Sequence, residues 1–348
     1  MMLRKTILTA AILSAGVFAA TQAEATTLSF ATNTTTKGLR AVAEQTLIDA
    51  IEQETGIKVK AFWGGSLAKG NEVLTALERG VADIGSIQIN YHPNKLLLNS
   101  GLNLFPQGPQ RFESVMKFYH KLFKEVPELR AEYTKFGQKT IYNYTLFPYA
   151  IAANKPISSL ADLKGKKIRA ASHWYLKLLA DVGAIPVSVP FADCYMALQT
   201  GNIDAVFTNY DAIPRTKLDE PAPNLWIIKQ WWTPAPYAVN ISLAKWNKLS
   251  PDEQKGILRA GEVAEKKFGE KFASIFASTV AEQKKKGYKV AFASDEDVAA
   301  WMAVPAIEAN RKEWIKSAKD LGVDDAEAVL NKIGALVAEA VAEERSAK

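Results

Sequence analysis

The 348-residue sequence has a single cysteine, Cys194, and three histidines, His92, His120 and His173. One cysteine excludes an internal disulfide framework and any multi-cysteine metal site. The histidines lie far apart and form no His-x-x-x-His pair, so no metal cofactor is expected. Beyond the amino terminus no run of about 20 apolar residues occurs, and no membrane-spanning helix is expected in the body of the chain. A long stretch of one charge sign is also missing. The formal net charge is +6, but its lysines and arginines are dispersed. The one dense run, Lys284-Lys285-Lys286, closes an expected helix, where cations complement the helix dipole. No nucleic-acid partner is expected. The chain is 48% hydrophobic and 23% charged, the balance of a globular protein. At about 150 residues per domain its length fits two lobes.

Residues 1–25 read as a secretory signal peptide. Arg4 and Lys5 supply a positive start, Ile7 to Ala20 an apolar run, and Ala23-Glu24-Ala25 a small-x-small cleavage pattern before Thr26. The expected destination is outside the cytoplasm.

The mature chain alternates strand and helix. Thr27–Ala31 reads as a strand, Leu39–Ile51 as a helix stopped by Gly56, Ile57–Phe62 as a strand, Glu72–Arg79 as a helix stopped by Gly80, and Ala82–Ile87 as a strand. A second series runs through strands Tyr149–Ala153 and Lys166–Ala170, helix His173–Val182, strand Ile185–Val189, helix Ala192–Thr200, Gly201 and strand Ala205–Asn209. The spacing Ala-Leu-x-x-Gly-x-x-Asp occurs in both series, at Ala76 to Asp83 and Ala197 to Asp204. Two similarly built α/β lobes with doubly wound parallel sheets are expected. A long helix then runs from Pro251 to Gly287, with Ser250 as its cap and Glu253 completing a capping box. At 1.5 Å per residue it spans about 55 Å, longer than one small domain, so it must bridge both lobes or project into solvent. The expected division is 26–147 plus 236–270 for lobe I and 148–235 plus 271–348 for lobe II.

Doubly wound sheets bind ligands beyond the carboxyl ends of their strands. In the first lobe those positions hold Asn33, Trp63, Gln88 and Tyr91; in the second, Arg169, Trp174, Phe191, Thr208 and Asn209. Tyr149 opens the second series, and Trp232 and Tyr237 lie in a proline-rich crossover. Arg169 is the sharpest of these, because a guanidinium presents a planar fork matched to a carboxylate. Trp174 and Phe191 stack on a ligand or fill a lobe core, with packing the better single-residue reading. Cys194 and His173 make a poor nucleophile and base, since Cys194 falls inside an amphipathic helix with no third orienting group. Gly64-Gly65-Ser66 completes no phosphate-loop pattern.

Several motifs carry a family resemblance: Gly64-Gly65-Ser66-Leu67, Ala76-Leu77-x-x-Gly80-x-x-Asp83-Ile84-Gly85, Asn154-Lys155-Pro156-Ile157, Asp162-Leu163-Lys164-Gly165-Lys166-Lys167-Ile168-Arg169 and Ala197-Leu198-Gln199-Thr200-Gly201-x-x-Asp204. With these the chain resembles the solute-binding proteins of tripartite ATP-independent periplasmic (TRAP) transporters, DctP type, through nearly all of its mature length. The resemblance implies a periplasmic-binding-protein-like fold with a cleft between the lobes and no enzymatic activity. It also implies delivery of a small-molecule carboxylate to a membrane permease. Arg169 would bind the carboxylate, Phe191 would contact the ligand, and Thr208 or Asn209 would be the second carboxylate contact. One strong cation among Trp63, Tyr91, Tyr149, Trp174, Phe191, Trp232 and Tyr237 suits an aromatic or apolar monocarboxylate. A periplasmic enzyme on the same fold, or a module feeding a sensor, is the alternative.

Overall fold

The computed structural model describes residues 27–347, so the expected signal peptide, 1–25, lies outside the described residues. Eleven strands occur among them: β1 (Thr27–Ala31), β2 (Lys58–Phe62), β3 (Ile84–Ile87), β4 (Gln138–Tyr144), β5 (Tyr149–Ala153), β6 (Lys167–Arg169), β7 (Ile185–Val187), β8 (Ala205–Asn209), β9 (Asn224–Ile227), β10 (Tyr237–Ser242) and β11 (Lys289–Phe292). They form two sheets, ordered β2-β1-β3-β10-β4 and β11-β9-β5-β8-β6-β7.

The sheets are mixed, which corrects the all-parallel expectation. β1, β2 and β3 run parallel, as do β6, β7 and β8, but β10 is antiparallel to both its neighbours and so is β5. The cause is the chain's route. β4 leads directly into β5 in the other sheet, and after β9 the chain returns to the first sheet at β10. A strand that enters a sheet from the crossover starts at the edge where its neighbours end. Tyr149 and Tyr237, the first residues of β5 and β10, are thereby carried to the same edge as the carboxyl ends of the parallel strands.

The repeated spacing has a physical role in both sheets. Gly80 and Gly201 take left-handed conformations, φ 71° and 72°, and end their helices. The Asp83 carboxylate then accepts the backbone N–H of Ser29 in β1 at 2.8 Å, and the Asp204 carboxylate accepts that of Lys167 in β6 at 2.8 Å. Each aspartate pins the start of the adjacent parallel strand, and so fixes where that strand ends at the cleft.

The long helix covers Pro251–Lys285, with the Ser250–Glu253 capping box and Pro251 in its first turn. Near its start Gly261 lies so close to β4 that a Cβ would stand 2.4 Å from the Ile141 carbonyl oxygen. Farther along, Phe268 packs edge-on to Tyr144, Phe276 meets Phe147 and Tyr210, and Gln283 donates to the Asp219 carboxylate at 2.9 Å. The helix therefore touches the first sheet's elements, then the crossover, then the second's. The last helix, Ala326–Ser346, packs against helix Phe112–Glu125: Lys117 pairs with Glu343 at 2.8 Å and Lys121 with Glu339, while Glu344 accepts the backbone N–H groups of Gln110 and Arg111. Helix Ala306–Asp320 is a second tie, with Trp314 donating to Leu97 O and Asn310 to Trp174 O.

Candidate functional site

Where the two sheet edges face each other they enclose a cavity of about 710 Å³. Nine of the twelve residues expected at the site line it: Asn33, Gln88, Tyr91, Tyr149, Arg169, Phe191, Thr208, Asn209 and Tyr237.

Arg169 ends β6, whose neighbours β7 and β8 run parallel to it, so the loops after all three strands surround its side chain. The residue is 3% exposed. Its Nε donates to the Val189 carbonyl at 2.9 Å, while its terminal nitrogens find no acceptor among the described residues. The guanidinium carbon sits 5.3 Å from the centre of the Phe191 ring. A buried guanidinium held at its stem, with its fork unspent, can take a carboxylate bidentately.

Thr208 and Asn209 both reach the cavity from the end of β8. The Asn209 amide nitrogen is committed, donating to Phe147 O at 3.0 Å and Thr233 Oγ1 at 2.8 Å. The Thr208 hydroxyl has no partner among the described residues. Tyr149 lies 5.3 Å from Tyr175 and 4.8 Å from Phe207, ring centre to ring centre. Burial pushes the Tyr149 phenol well above its usual range, and burial takes that of Tyr237 up to about 12 against the opposing pull of Arg40. Both remain neutral hydroxyls at physiological pH.

Trp174 and Trp232, both expected at the site, lie in the core instead. Trp174 is 2% exposed, its ring tilted against that of His173, in a helix whose carbonyl at that position accepts from Asn310. Trp232 is 3% exposed, its indole N–H donates to Phe105 O at 2.7 Å, and its ring packs on Phe118 and Tyr119. A buried indole needs an acceptor for its N–H, and the loop carrying Phe105 supplies one away from the cavity. Trp63 is likewise absent from the lining, which its neighbours Gly64 and Gly65 provide.

Two arginines missed in the sequence also line the cavity, Arg40 and Arg215, which corrects the expectation of a single strong cation there. Arg40 is spent on the protein: it contacts Glu44 at 3.2 Å and donates to Asn33 Oδ1, Ser86 Oγ and the Tyr144 hydroxyl. Tyr144 in turn donates to Glu44 at 2.7 Å, and the Tyr237 ring covers the guanidinium at 4.8 Å. Through Arg40 and Gln88, which both donate to Asn33 Oδ1, the Asn33 side chain is held in one orientation. The signal was present in the sequence, because Arg40 and Glu44 stand one turn apart in the same buried stripe as Leu47 and Ile51. Arg215 ends the short helix Ala212–Arg215 after β8, with no regular pattern to mark it. Cys194 is fully buried, and burial pushes its thiol upward, away from the reactive thiolate.

Two facing sheet edges around a buried, uncommitted guanidinium form the cleft of a two-lobed receptor for a small solute. The family of bacterial extracellular solute-binding proteins, family 7 (DctP), matches residues 29–315, and the chain belongs to it. A solute-binding protein of Albidiferax ferrireducens is 27% identical over 256 residues, 71% of this chain and 73% of that one. The 2,3-diketo-L-gulonate-binding periplasmic protein of Escherichia coli is 25% identical over 252 residues, 71% and 75% of the two chains. Among solved structures, a marine metagenome TRAP solute-binding protein specific for aromatic acids, in complex with metahydroxyphenylacetate, superposes with a TM-score of 0.77. That protein is 22% identical, and the match covers 90% of this chain and 99% of the other. The family serves transport: its TRAP members bind small molecules and work with a membrane permease. Among the described residues no helix is long and apolar enough to cross a membrane.

Proposed function

We propose that this protein is a periplasmic receptor that captures a small organic acid between its lobes and hands it to a TRAP permease, without turning it over. The observation that carries the reading is Arg169, buried in the cavity wall with its fork free. Lobe I comprises 26–147 with 236–270 and lobe II 148–235 with 271–348, after removal of a signal peptide at 1–25. The lobes move about the crossovers near 146–150 and 234–238, and the long helix flexes between them. Closure strips water from the guanidinium and the carboxylate, which strengthens their attraction provided that both are fully hydrogen-bonded.

Thr208 is the better second contact. A carboxylate only accepts hydrogen bonds, and the Asn209 amide nitrogen is already occupied while the Thr208 hydroxyl is not. The ligand bears one carboxylate: of the two arginines that are almost wholly buried in the wall, Arg40 is paired with Glu44 and Arg169 has no carboxylate partner among the described residues. Tyr91, Tyr149, Phe191 and Tyr237 in the lining favour an aromatic or apolar body. The ligands in the names of these two relatives, diketogulonate and metahydroxyphenylacetate, both carry a carboxylate on very different carbon skeletons, which supports the acid and leaves the body to the side walls.

A thermal-shift screen of organic acids against their methyl esters and amides tests this. An acid at 100 times its dissociation constant adds about 2.7 kcal/mol of stability, and its ester should add nothing measurable. Equal stabilisation by acid and ester, or conversion of any acid by the purified protein, contradicts the reading.

A further inference from the structure

Arg215 is a half-buried cation of the cavity, and the carboxylate-binding role of Arg169 does not use it. Its side chain reaches across the mouth to the opposite lobe: a Cβ on Gly38, which has φ +89°, would stand 2.9 Å from Arg215 Cδ and 3.3 Å from Cγ. Its guanidinium carbon lies 6.0 Å from the centre of the Phe191 ring, the ring that also carries Arg169. The two forks thus flank one aromatic side chain and stand within the length of one small molecule. Arg215 Nε is buried without a hydrogen-bond partner, and both carboxylate oxygens of Asp211 are too. Buried polar groups in native proteins are nearly always satisfied, so a donor of this kind in a cavity wall points to the cavity's occupant.

We propose that Arg215 determines specificity by donating to a second, uncharged oxygen of the ligand, a keto or hydroxyl group, while Arg169 holds the carboxylate. This rests on the carboxylate reading above. Charge selects the uncharged oxygen. Asp211 acts on Arg215 through space, and Arg40 is paired with Glu44, so a second ligand carboxylate at Arg215 would also meet the like charge of Asp211. A neutral acceptor satisfies the guanidinium without adding a charge. The solute class is therefore oxo or hydroxy monocarboxylic acids, with the second oxygen displaced from the carboxylate by a few carbons.

Calorimetry on matched acids tests the assignment, using pentanoate, 4-oxopentanoate and 4-hydroxypentanoate, then 4-phenylbutanoate with its 4-oxo and 4-hydroxy forms, and glutarate. The wild type should bind the oxo or hydroxy member of at least one series about tenfold or more tighter than the plain acid, as expected for one hydrogen bond to a charged group. The oxo and hydroxy arms identify which oxygen is preferred. Arg215→Met keeps the stem against Gly38 and should erase that preference while changing the plain acid's affinity by less than about threefold. Arg215→Lys, a second variant that retains the charge, should keep part of the preference. Equal losses for plain and oxygenated acids, no preference in the wild type, or preference for glutarate overturns the proposal while leaving the carboxylate receptor intact. If no acid binds, the receptor reading itself fails, and this inference fails with it.

Discussion

The guanidinium carbon of Arg169 stands 5.3 Å from the centre of the Phe191 ring, at the junction of the loops that follow β6 and β7. The ring is half-buried in the cavity lining and also lies 6.0 Å from the Arg215 guanidinium carbon. Replacing Phe191 with Leu keeps apolar volume and removes the aromatic face. It should weaken acid binding by about 0.5–2 kcal/mol, the range of a partly desolvated cation–π contact, with little change in melting temperature. Phe191→Tyr should bind as the wild type does. Calorimetry of both variants checks this.

The fold was legible wherever a local pattern fixed it. β1, β5 and β8 have the bounds read from sequence, and the Ser250–Glu253 box and the Gly80 and Gly201 stops lie where their residue types require. The reversed directions of β5 and β10 were not legible, because strand direction follows from the chain's route between sheets rather than from composition. Arg169 could be found because it ends a strand that points at the cleft. Arg40 was hidden by its helix, whose stripe reads as ordinary amphipathicity until a buried ion pair is recognised in it. Trp174 and Trp232 misled because an indole suits a ligand wall and a core equally well; for Trp232 the Phe105 carbonyl, an acceptor for its N–H away from the cavity, separates the two.

Glu44 is the counter-charge that permits Arg40 to be buried, both side chains being at most 4% exposed. Glu44→Ala leaves an uncompensated buried cation and should cost about 3–5 kcal/mol in urea denaturation. The double substitution Arg40→Met with Glu44→Leu should recover much of that loss, since replacing both charges removes the desolvation penalty. A loss for Glu44→Ala below about 1 kcal/mol would show that the pair behaves as an exposed one.

Asp211, buried two residues after β8, responds to pH. Burial raises its pKa to about 6, against the opposing pull of Arg215 and Arg40. A carboxyl whose folded pKa exceeds its unfolded value of about 3.9 stabilises the fold at low pH. That contribution is lost as pH rises through about 6. Asp211→Asn, which mimics the protonated form, should match the wild type near pH 4. It should be more stable than the wild type above pH 7 by on the order of 2 kcal/mol. Denaturation midpoints measured across that range check the sign, and a variant less stable than the wild type at high pH would refute it.

The most direct test is isothermal calorimetry of Arg169→Ala and Arg169→Lys with the acid that most stabilises the wild type. The alanine variant should keep its fold and lose about 2–5 kcal/mol of binding, the usual cost of truncating one partner of a buried charge pair. The lysine variant should recover only part of that loss, because an ammonium has no fork. Affinity within about threefold of the wild type in the alanine variant, a difference of under 1 kcal/mol, would show that the acid is held elsewhere.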